Sequence, residues 1–209
     1  MDADKIELEI SRGENDTQDF KQEITSVLKI AKTIVAFANT KGGRLWIGVK
    51  DNGKIIGCEP LEEQYMIEHA AAEFCKPAIN VEFVKHCYED KEILEVRIPF
   101  SKSRPHFAKD EAGKWWAYVR YKDHTVLAGI VTLESYKKKN KDILIKYTET
   151  ERSILVFIAE QGRVQLNQVT KDLKIKRHIA VMILSNLVAT GILEVNHENH
   201  TEYFNSALN

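Results

Sequence analysis

The clearest periodic pattern in the chain is a run of apolar residues between positions 24 and 38. The i, i+3, i+4 spacing of an amphipathic helix is met by the apolar positions 24, 27, 28, 31, 34, 35 and 38. Gly42 is placed to cap this helix in the left-handed conformation. The following RLWIGV is rich in strand formers, and Asp51-Asn52-Gly53 then predicts a tight hairpin turn into residues 54–57.

One more helix and a hairpin are predicted in the next fifty residues. Apolar residues on one face predict a helix from about 61 to 75, which Pro77 ends. Two alternating segments, residues 79–83 and 93–98, follow with the polar turn EDKE between them. This arrangement predicts an antiparallel hairpin.

Three further segments carry weaker patterns. Residues 1–12 are polar with weak alternation, which predicts an edge strand or a dimer arm. The run WWAYVRY predicts a strand with Trp116, Tyr118 and Arg120 on one face. Residues 126–131 fit either a short strand or the lead into a helix.

The C-terminal third has a different pattern of apolar and polar residues. ERSILVFIAEQG, LNQVTKDLKI and KRHIAVMILSNLVATG predict three helices, and ILEV and TEYFN alternate like two strands joined by NHENH. Three helices with tight turns and a terminal hairpin predict a winged helix-turn-helix. The charge run KKKNK marks a linker. The predicted organisation is a first domain, a basic linker and a winged-helix domain, over residues 1–136, 137–149 and 150–209.

Composition indicates an ordinary globular protein that can bury a core. Of 209 residues, 44% are apolar and 29% charged, with no run long enough for a membrane span. The acidic start MDADKIELEI does not resemble a signal peptide, so we expect a cytoplasmic protein that does not associate with membranes. The three cysteines show no paired spacing and predict neither disulfides nor zinc. A net charge of −1 disfavours a strongly basic nucleic-acid binder but allows local basic patches.

Four segments in this order carry a family resemblance: GENDTQDFK, AFANTKGGRLWIGVKDNGKIIG, RPHF and YVR. With them, the first 130 or so residues resemble a Schlafen-type AlbA domain, and many bacterial members of that family carry a winged helix after it. The resemblance implies an α+β fold with a mixed sheet and packed helices. It also implies nucleic-acid binding, transcriptional regulation and self-association.

The resemblance implies a possible metal site on three carboxylates. In nuclease members of the family, acidic residues at the positions matching Glu14, Asp19 and Asp51 form a catalytic, metal-binding trio for RNA cleavage. Lys21 follows in the family's FK element. Carboxylate oxygens suit Mg²⁺ or Mn²⁺, which can activate water. The chain departs from the pattern at Asp19, where the family has Glu, and Asp51 is equally what a tight turn would choose.

Basic residues supply the candidate nucleic-acid contacts, with aromatic residues beside them. The resemblance places RPHF and YVR on a nucleic-acid face, and arginine suits phosphate contact. Trp115, Trp116 and Tyr118 are candidates for stacking on unpaired bases. The alternative is that a tryptophan fills the core and the arginines pair with nearby acids. The candidate contacts of the first domain are Lys21, Arg97, Arg104, His106 and Arg120.

In the winged helix the basic residues gather before and at the start of the third helix. They are Lys171, Lys174, Lys176 and Arg177. The N-terminal residues of a recognition helix meet base edges in DNA. The alternative is a dimerisation module, because IAVMILSNLVA is apolar on more than one face.

The sequence therefore predicts a cytoplasmic, homo-oligomeric regulator that binds nucleic acid, DNA rather than RNA, and that needs no cofactor. The alternatives are a metal-dependent ribonuclease using Mg²⁺ or Mn²⁺, and a protein–protein module without nucleic-acid binding. ATP hydrolysis is not expected, because the chain lacks GxxxxGK[ST] and its glycine pair follows a helix instead of preceding one.

Overall fold

A computed structural model of the protein describes residues 3–138, 147–198 and 201–207. The chain folds into two compact units, Met1–Leu127 and Ala128–Asn209. Helices and strands occur in both units, so the α+β class is confirmed. Among the described residues, no helix is both long and apolar enough to cross a bilayer.

The first unit alternates helices with mostly short strands. Its elements are α1 (Ala3–Ile10), β1 (Gln18–Lys21), α2 (Val27–Asn39), β2 (Gly43–Ile47), α3 (Pro60–Glu73), β3 (Cys75–Lys76), β4 (Glu82–Tyr88), β5 (Lys91–Ile98), β6 (Phe107–Lys109), β7 (Trp115–Trp116), β8 (Tyr118–Tyr121) and β9 (His124–Leu127).

The largest sheet of this unit is mixed, as the resemblance implies. Its strand order is β1-β2-β5-β4. Strands β1 and β2 pair in parallel and are joined through α2, whereas the β2–β5 and β5–β4 pairs are antiparallel. A helix between two parallel neighbours is the connection that such a pair requires.

Helices cover both faces of this sheet. On one face, α2 and α3 pack on strand residues such as Leu45 and Val96. On the other, Ile6 and Ile10 of α1 pack with Phe20 and Trp46. Successive strand residues therefore point to opposite cores, which is why β2 reads as a continuous apolar run.

Helix α2 forms where the periodicity predicts it. The Ser26 hydroxyl caps its start by accepting the Lys29 N–H. Gly42 follows its end with φ at +74°, and its N–H donates to the Phe37 carbonyl at 2.8 Å. A Cβ at this position would lie 2.6 Å from the Phe100 backbone nitrogen, so a side chain is excluded by space as well as by conformation.

Two segments near the start of the first unit differ from the sequence predictions. Residues 3–10 form a helix instead of an edge strand, because burial of Ile6 and Ile10 one turn apart outweighs a weak alternation. The Asp51-Asn52-Gly53 turn forms, but φ of +89° at Gly48 ends β2 before it, and an isolated bridge between Val49 and Ile55 takes the place of a regular hairpin.

WWAYVRY is not one strand. It breaks at Ala117 into β7 and β8, which belong to different sheets. Trp116 is consequently exposed whereas Arg120 is buried, so the two do not share a face.

The second unit contains the three helices and the hairpin that the sequence predicts, and a further helix that begins within residues 126–131, the segment that fits either a short strand or the lead into a helix. The elements are α4 (Ile130–Lys138), α5 (Glu149–Gln161), β10 (Arg163–Val164), α6 (Leu166–Asp172), α7 (Arg177–Ala189), β11 (Leu193–Glu198) and β12 (Thr201–Ser206). The predicted domain boundary at 136 falls inside α4, and most of the predicted linker, residues 139–146, lies outside the described residues.

Helix α4 packs against α7. Its Val131 is fully buried in the core of this unit. At its end, the Lys138 ammonium donates to the Ser185 hydroxyl at 2.6 Å and to the Met182 carbonyl at 3.2 Å. This packing gives a reason why α7 is apolar on more than one face, because α4 as well as α6 packs against it.

Candidate nucleic-acid interface

Asn39, at the end of α2, connects the segments that carry the family resemblance. It is fully buried, and its side-chain amide donates to the carbonyl oxygens of His106 and Tyr118, each at 2.9 Å. Its side-chain oxygen accepts the His106 N–H at 2.8 Å. The FANT, RPHF and YVR segments therefore meet at one asparagine.

The neighbouring Thr40 makes a second connection. Its hydroxyl donates to the Ala36 carbonyl at 2.7 Å and accepts the Arg120 N–H at 2.8 Å. These bonds satisfy backbone groups at a helix end that is largely buried. The role of Asn39 and Thr40 is thus to fix β8 and the RPHF loop against α2.

Arg120 is buried inside the first unit. Its guanidinium donates to Asp19 at 2.9 Å and also to the carbonyl oxygens of Asn15 and Gln18. It stacks over the Phe37 ring at 5.0 Å. Arg120 is therefore a structural residue and not the predicted nucleic-acid contact, and its pairing fits the alternative that the arginines pair with nearby acids.

Asp19 is the buried partner of two cations. Burial alone would raise the pKa of its carboxyl, but the charges of Arg120 and of Lys21, whose ammonium lies 2.8 Å away, hold the pKa below its ordinary value. Glu14 accepts the Phe20 N–H at 2.9 Å, and burial raises the pKa of Glu14. Glu14, Asp19 and Lys21 do come together.

Asp51 does not join them. It is exposed in the turn that the Lys50–Lys54 backbone hydrogen bond closes. Across the described ranges, no three His, Cys, Asp or Glu side chains are grouped so that they could hold a metal ion. The Asp19 carboxylate is also paired with Arg120 and Lys21. The residues present do not fit the metal site that the resemblance implies.

Arg97 belongs to a second ion-pair cluster on the sheet. Its guanidinium donates twice to Glu95, at 2.9 and 3.1 Å, and His86 contacts the same carboxylate at 2.9 Å. Burial alone would raise the pKa of Glu95, but these two partners hold it below its ordinary value. The Arg97 side chain is half-exposed, and Arg97 is the most exposed of the five candidate contacts in the first unit.

The two candidates in the RPHF loop also make structural contacts. The Nδ1–H of buried His106 donates to the Pro77 carbonyl at 2.8 Å, and its Nε2 lies 2.6 Å from the Ser101 hydroxyl. Arg104 donates to the Asn39 carbonyl at 2.8 Å and lies over the Phe100 ring. His106 is therefore withdrawn from solvent, contrary to the sequence prediction.

The candidate basic residues of the second unit are exposed to solvent, whereas Arg120 and His106 are buried. All four lie exposed between the end of α6 and the start of α7, and within the described part of the chain none forms an ion pair: Lys171, Lys174, Lys176 and Arg177. The Arg177 guanidinium donates to the Asn167 side chain at 3.0 Å, which joins α6 to α7. This turn is the largest exposed basic cluster among the predicted site residues.

Comparison with known proteins places the first unit in a family. The model described as "Schlafen, AlbA_2" matches residues 14–129. The N-terminal domain of a RecG-related protein from Nitrosomonas europaea is similar at 17% identity and a TM-score of 0.46, over 71% of this chain and 97% of that one. The DIP2311 protein from Corynebacterium diphtheriae is similar at 14% identity and a TM-score of 0.46, over 92% of this chain and 34% of that one. No curated protein sequence matches.

Proposed function

Because the chain belongs to the Schlafen AlbA_2 family, we propose that it is a DNA-binding regulator whose second unit is a winged helix-turn-helix. The observation that carries this proposal is the exposed, unpaired basic cluster at the start of α7. In a winged helix, the third helix enters the major groove and its N-terminal residues approach the bases.

The order of elements in the second unit supports α7 as the recognition helix. Helices α5, α6 and α7 are followed directly by the β11–β12 hairpin, which takes the place of the wing. B-form DNA admits a helix in its major groove, whereas the deep, narrow groove of A-form RNA does not admit side chains. Duplex DNA is therefore the preferred ligand.

The near-zero charge of the whole chain is compatible with this proposal, because acidic residues of the hairpin are engaged internally. Glu198 pairs with Arg163 at 2.6 Å. Glu202 accepts the Gly129 N–H at 2.8 Å. The cluster at α7 keeps its charge free for phosphates, which dominate non-specific affinity for DNA.

The two alternatives have less support. The protein–protein alternative rested on the second apolar face of α7, and α4 packs against α7 and buries part of its apolar surface. The ribonuclease alternative needs three converging carboxylates, and across the described residues no three acidic side chains are grouped so that they could hold a metal ion. Self-association remains a prediction of the family resemblance. Light scattering tests it by measuring the molar mass of the protein in solution.

A salt titration of duplex binding tests the proposed function. A fluorescent duplex of random sequence is titrated with the full chain at several salt concentrations. The logarithm of the association constant should fall linearly with the logarithm of salt, because each neutralised phosphate releases condensed counterions. No measurable binding at the lowest salt concentration would overturn the proposal, since phosphate contacts are strongest there.

A further inference from the structure

Two adjacent tryptophans lie exposed on strand β7. Trp115 is 37% exposed and Trp116 is 44% exposed, whereas Trp46 is fully buried. Indole rings are large apolar surfaces that a folded chain normally covers. Burial in the core thus accounts for Trp46 alone.

The tryptophans stand on a hairpin that Asp110 holds rigidly. One Asp110 carboxylate oxygen accepts the Lys114 N–H and the other accepts the Trp116 indole N–H, each at 2.8 Å. The backbone of Asp110 also exchanges hydrogen bonds with Lys114 and Gly113. An aromatic ring presented on such a turn needs little ordering when a ligand binds, which favours affinity.

Two lysines from neighbouring strands flank the Trp115 ring. The ammonium groups of Lys76 and Lys109 lie 5.8 and 5.9 Å from its centroid. Lys109 is paired with Trp115 in the β6–β7 register, and Lys76 lies across β6 on β3. These lysines are the only charged residues of the three strands, so this small sheet presents positive charge beside an indole that is 37% exposed. The Asp110 carboxylate on the same hairpin accepts the Lys114 and Trp116 N–H groups.

We propose that this surface, Trp115 with Lys76 and Lys109, binds single-stranded nucleic acid. An unpaired base would stack on the Trp115 ring while the two ammonium groups neutralise the phosphates beside it. Stacking on aromatic side chains together with a positive surface is the usual mode for unpaired strands. The surface lies in the first unit, so the proposal does not depend on duplex binding by α7.

Tryptophan fluorescence with strands of matched charge tests the proposal. The full chain is titrated with oligothymidylate and with an abasic strand of equal length. Oligothymidylate should quench the emission and bind more tightly than the abasic strand, because only bases can stack. Trp115→Leu should abolish most of the quenching and weaken oligothymidylate binding about 5- to 150-fold, as stacking worth about 1–3 kcal/mol predicts.

Matched controls separate stacking from general charge and from misfolding. Lys76→Ala and Lys109→Ala should each weaken binding, whereas Lys114→Ala, an exposed lysine on the same hairpin, should leave it unchanged. Buried Trp46 reports folding in Trp115→Leu, whose thermal midpoint should match that of the parent. Equal binding of the abasic strand, or full affinity of Trp115→Leu, would overturn the proposal.

Discussion

Asn39 and His106 are joined by two hydrogen bonds that run in opposite directions, although 67 residues separate them. The amide of Asn39 donates to the His106 carbonyl, and the amide oxygen receives the His106 N–H. A side chain here completes a backbone-like pair inside the protein, where unpaired polar groups are costly. Two of the segments that carry the family resemblance are therefore joined to each other.

Replacing Asn39 should destabilise the protein strongly. Asn39→Ala removes the hydrogen bonds that Asn39 makes to the His106 N–H and to the carbonyl oxygens of His106 and Tyr118. Each buried group that loses such a bond costs about 1–3 kcal/mol, so the free energy of unfolding should fall by about 3 kcal/mol or more. Urea unfolding measures it. Asn52→Ala, which removes one hydrogen bond in an exposed turn, should cost no more than about 1 kcal/mol. Equal losses in the two variants would contradict the role assigned to Asn39.

The Asp19–Arg120 pair should make stability depend on pH below about 4. The pKa of Asp19 lies below 3.8 in the folded protein, so the unfolded chain takes up the proton first as pH falls. Stability from this group is present above 3.8 and is lost as pH falls through the folded pKa. Asp19→Asn should lower the free energy of unfolding at pH 7 by about 3–5 kcal/mol and should flatten this acid dependence.

Glu14 provides the comparison for that measurement, because the pKa of Glu14 is shifted upward from 4.5. Its contribution is present below 4.5 and is lost as pH rises through the folded pKa. Glu14→Gln keeps Arg120 and Lys21, the two largest influences that lower the pKa of Asp19, so it should change the profile above 4.5 and leave most of the acid limb in place. If the acid limb of the stability profile keeps its full slope in Asp19→Asn, that limb comes from other carboxylates.

Substitutions at the start of α7 should weaken duplex DNA binding without unfolding the helix. The Lys176 side chain makes no capping hydrogen bond, so Lys176→Ala removes charge alone. The salt dependence of the association constant should become shallower by about one unit for each phosphate that the variant no longer neutralises. Arg177→Ala should also make the salt dependence shallower, although it removes the hydrogen bond to Asn167 as well as a charge, and Arg152→Ala, an exposed arginine on α5, is the control. If all three variants bind alike, α7 is not the recognition helix.

Divalent metal should not stabilise the protein through the three acidic residues. Ligands that bind the folded state raise the thermal midpoint by mass action. No metal-binding group of three acids or histidines occurs among the described residues. The thermal midpoint in Mn²⁺ should therefore equal the midpoint in EDTA, both for the parent and for Asp51→Ala. A Mn²⁺-dependent increase that Asp51→Ala abolishes would revive the ribonuclease alternative.

Sequence alone predicts the elements whose burial follows a local period. Helices α2 and α7 have long apolar faces, and both form where the spacing indicates. Helix α1 escapes prediction, because it buries just Ile6 and Ile10, whereas its Leu8 is exposed and most of its other residues are polar. A short amphipathic helix of this kind depends on the sheet that it covers.

The site residues also divide into those whose environment follows from the local sequence and those whose environment depends on distant residues. Whether Arg120 meets solvent depends on Asp19, which lies 101 residues away in sequence, and spacing carries no information about such a partner. The exposed cluster at α7 is local, since a helix start with consecutive basic residues keeps them in water. Lys76 and Lys109 could not have been linked to Trp115 before the order of β3, β6 and β7 was known.

Helix α4 determines how the second unit can be isolated. A fragment that begins at residue 150 lacks Val131, Lys138 and the hydrogen bond from Gly129 to Glu202, and it leaves an apolar face of α7 in water. A fragment that begins at Ala128 keeps them. Association of the shorter fragment would therefore report a missing helix, and the oligomeric state of this unit has to be measured on the longer one.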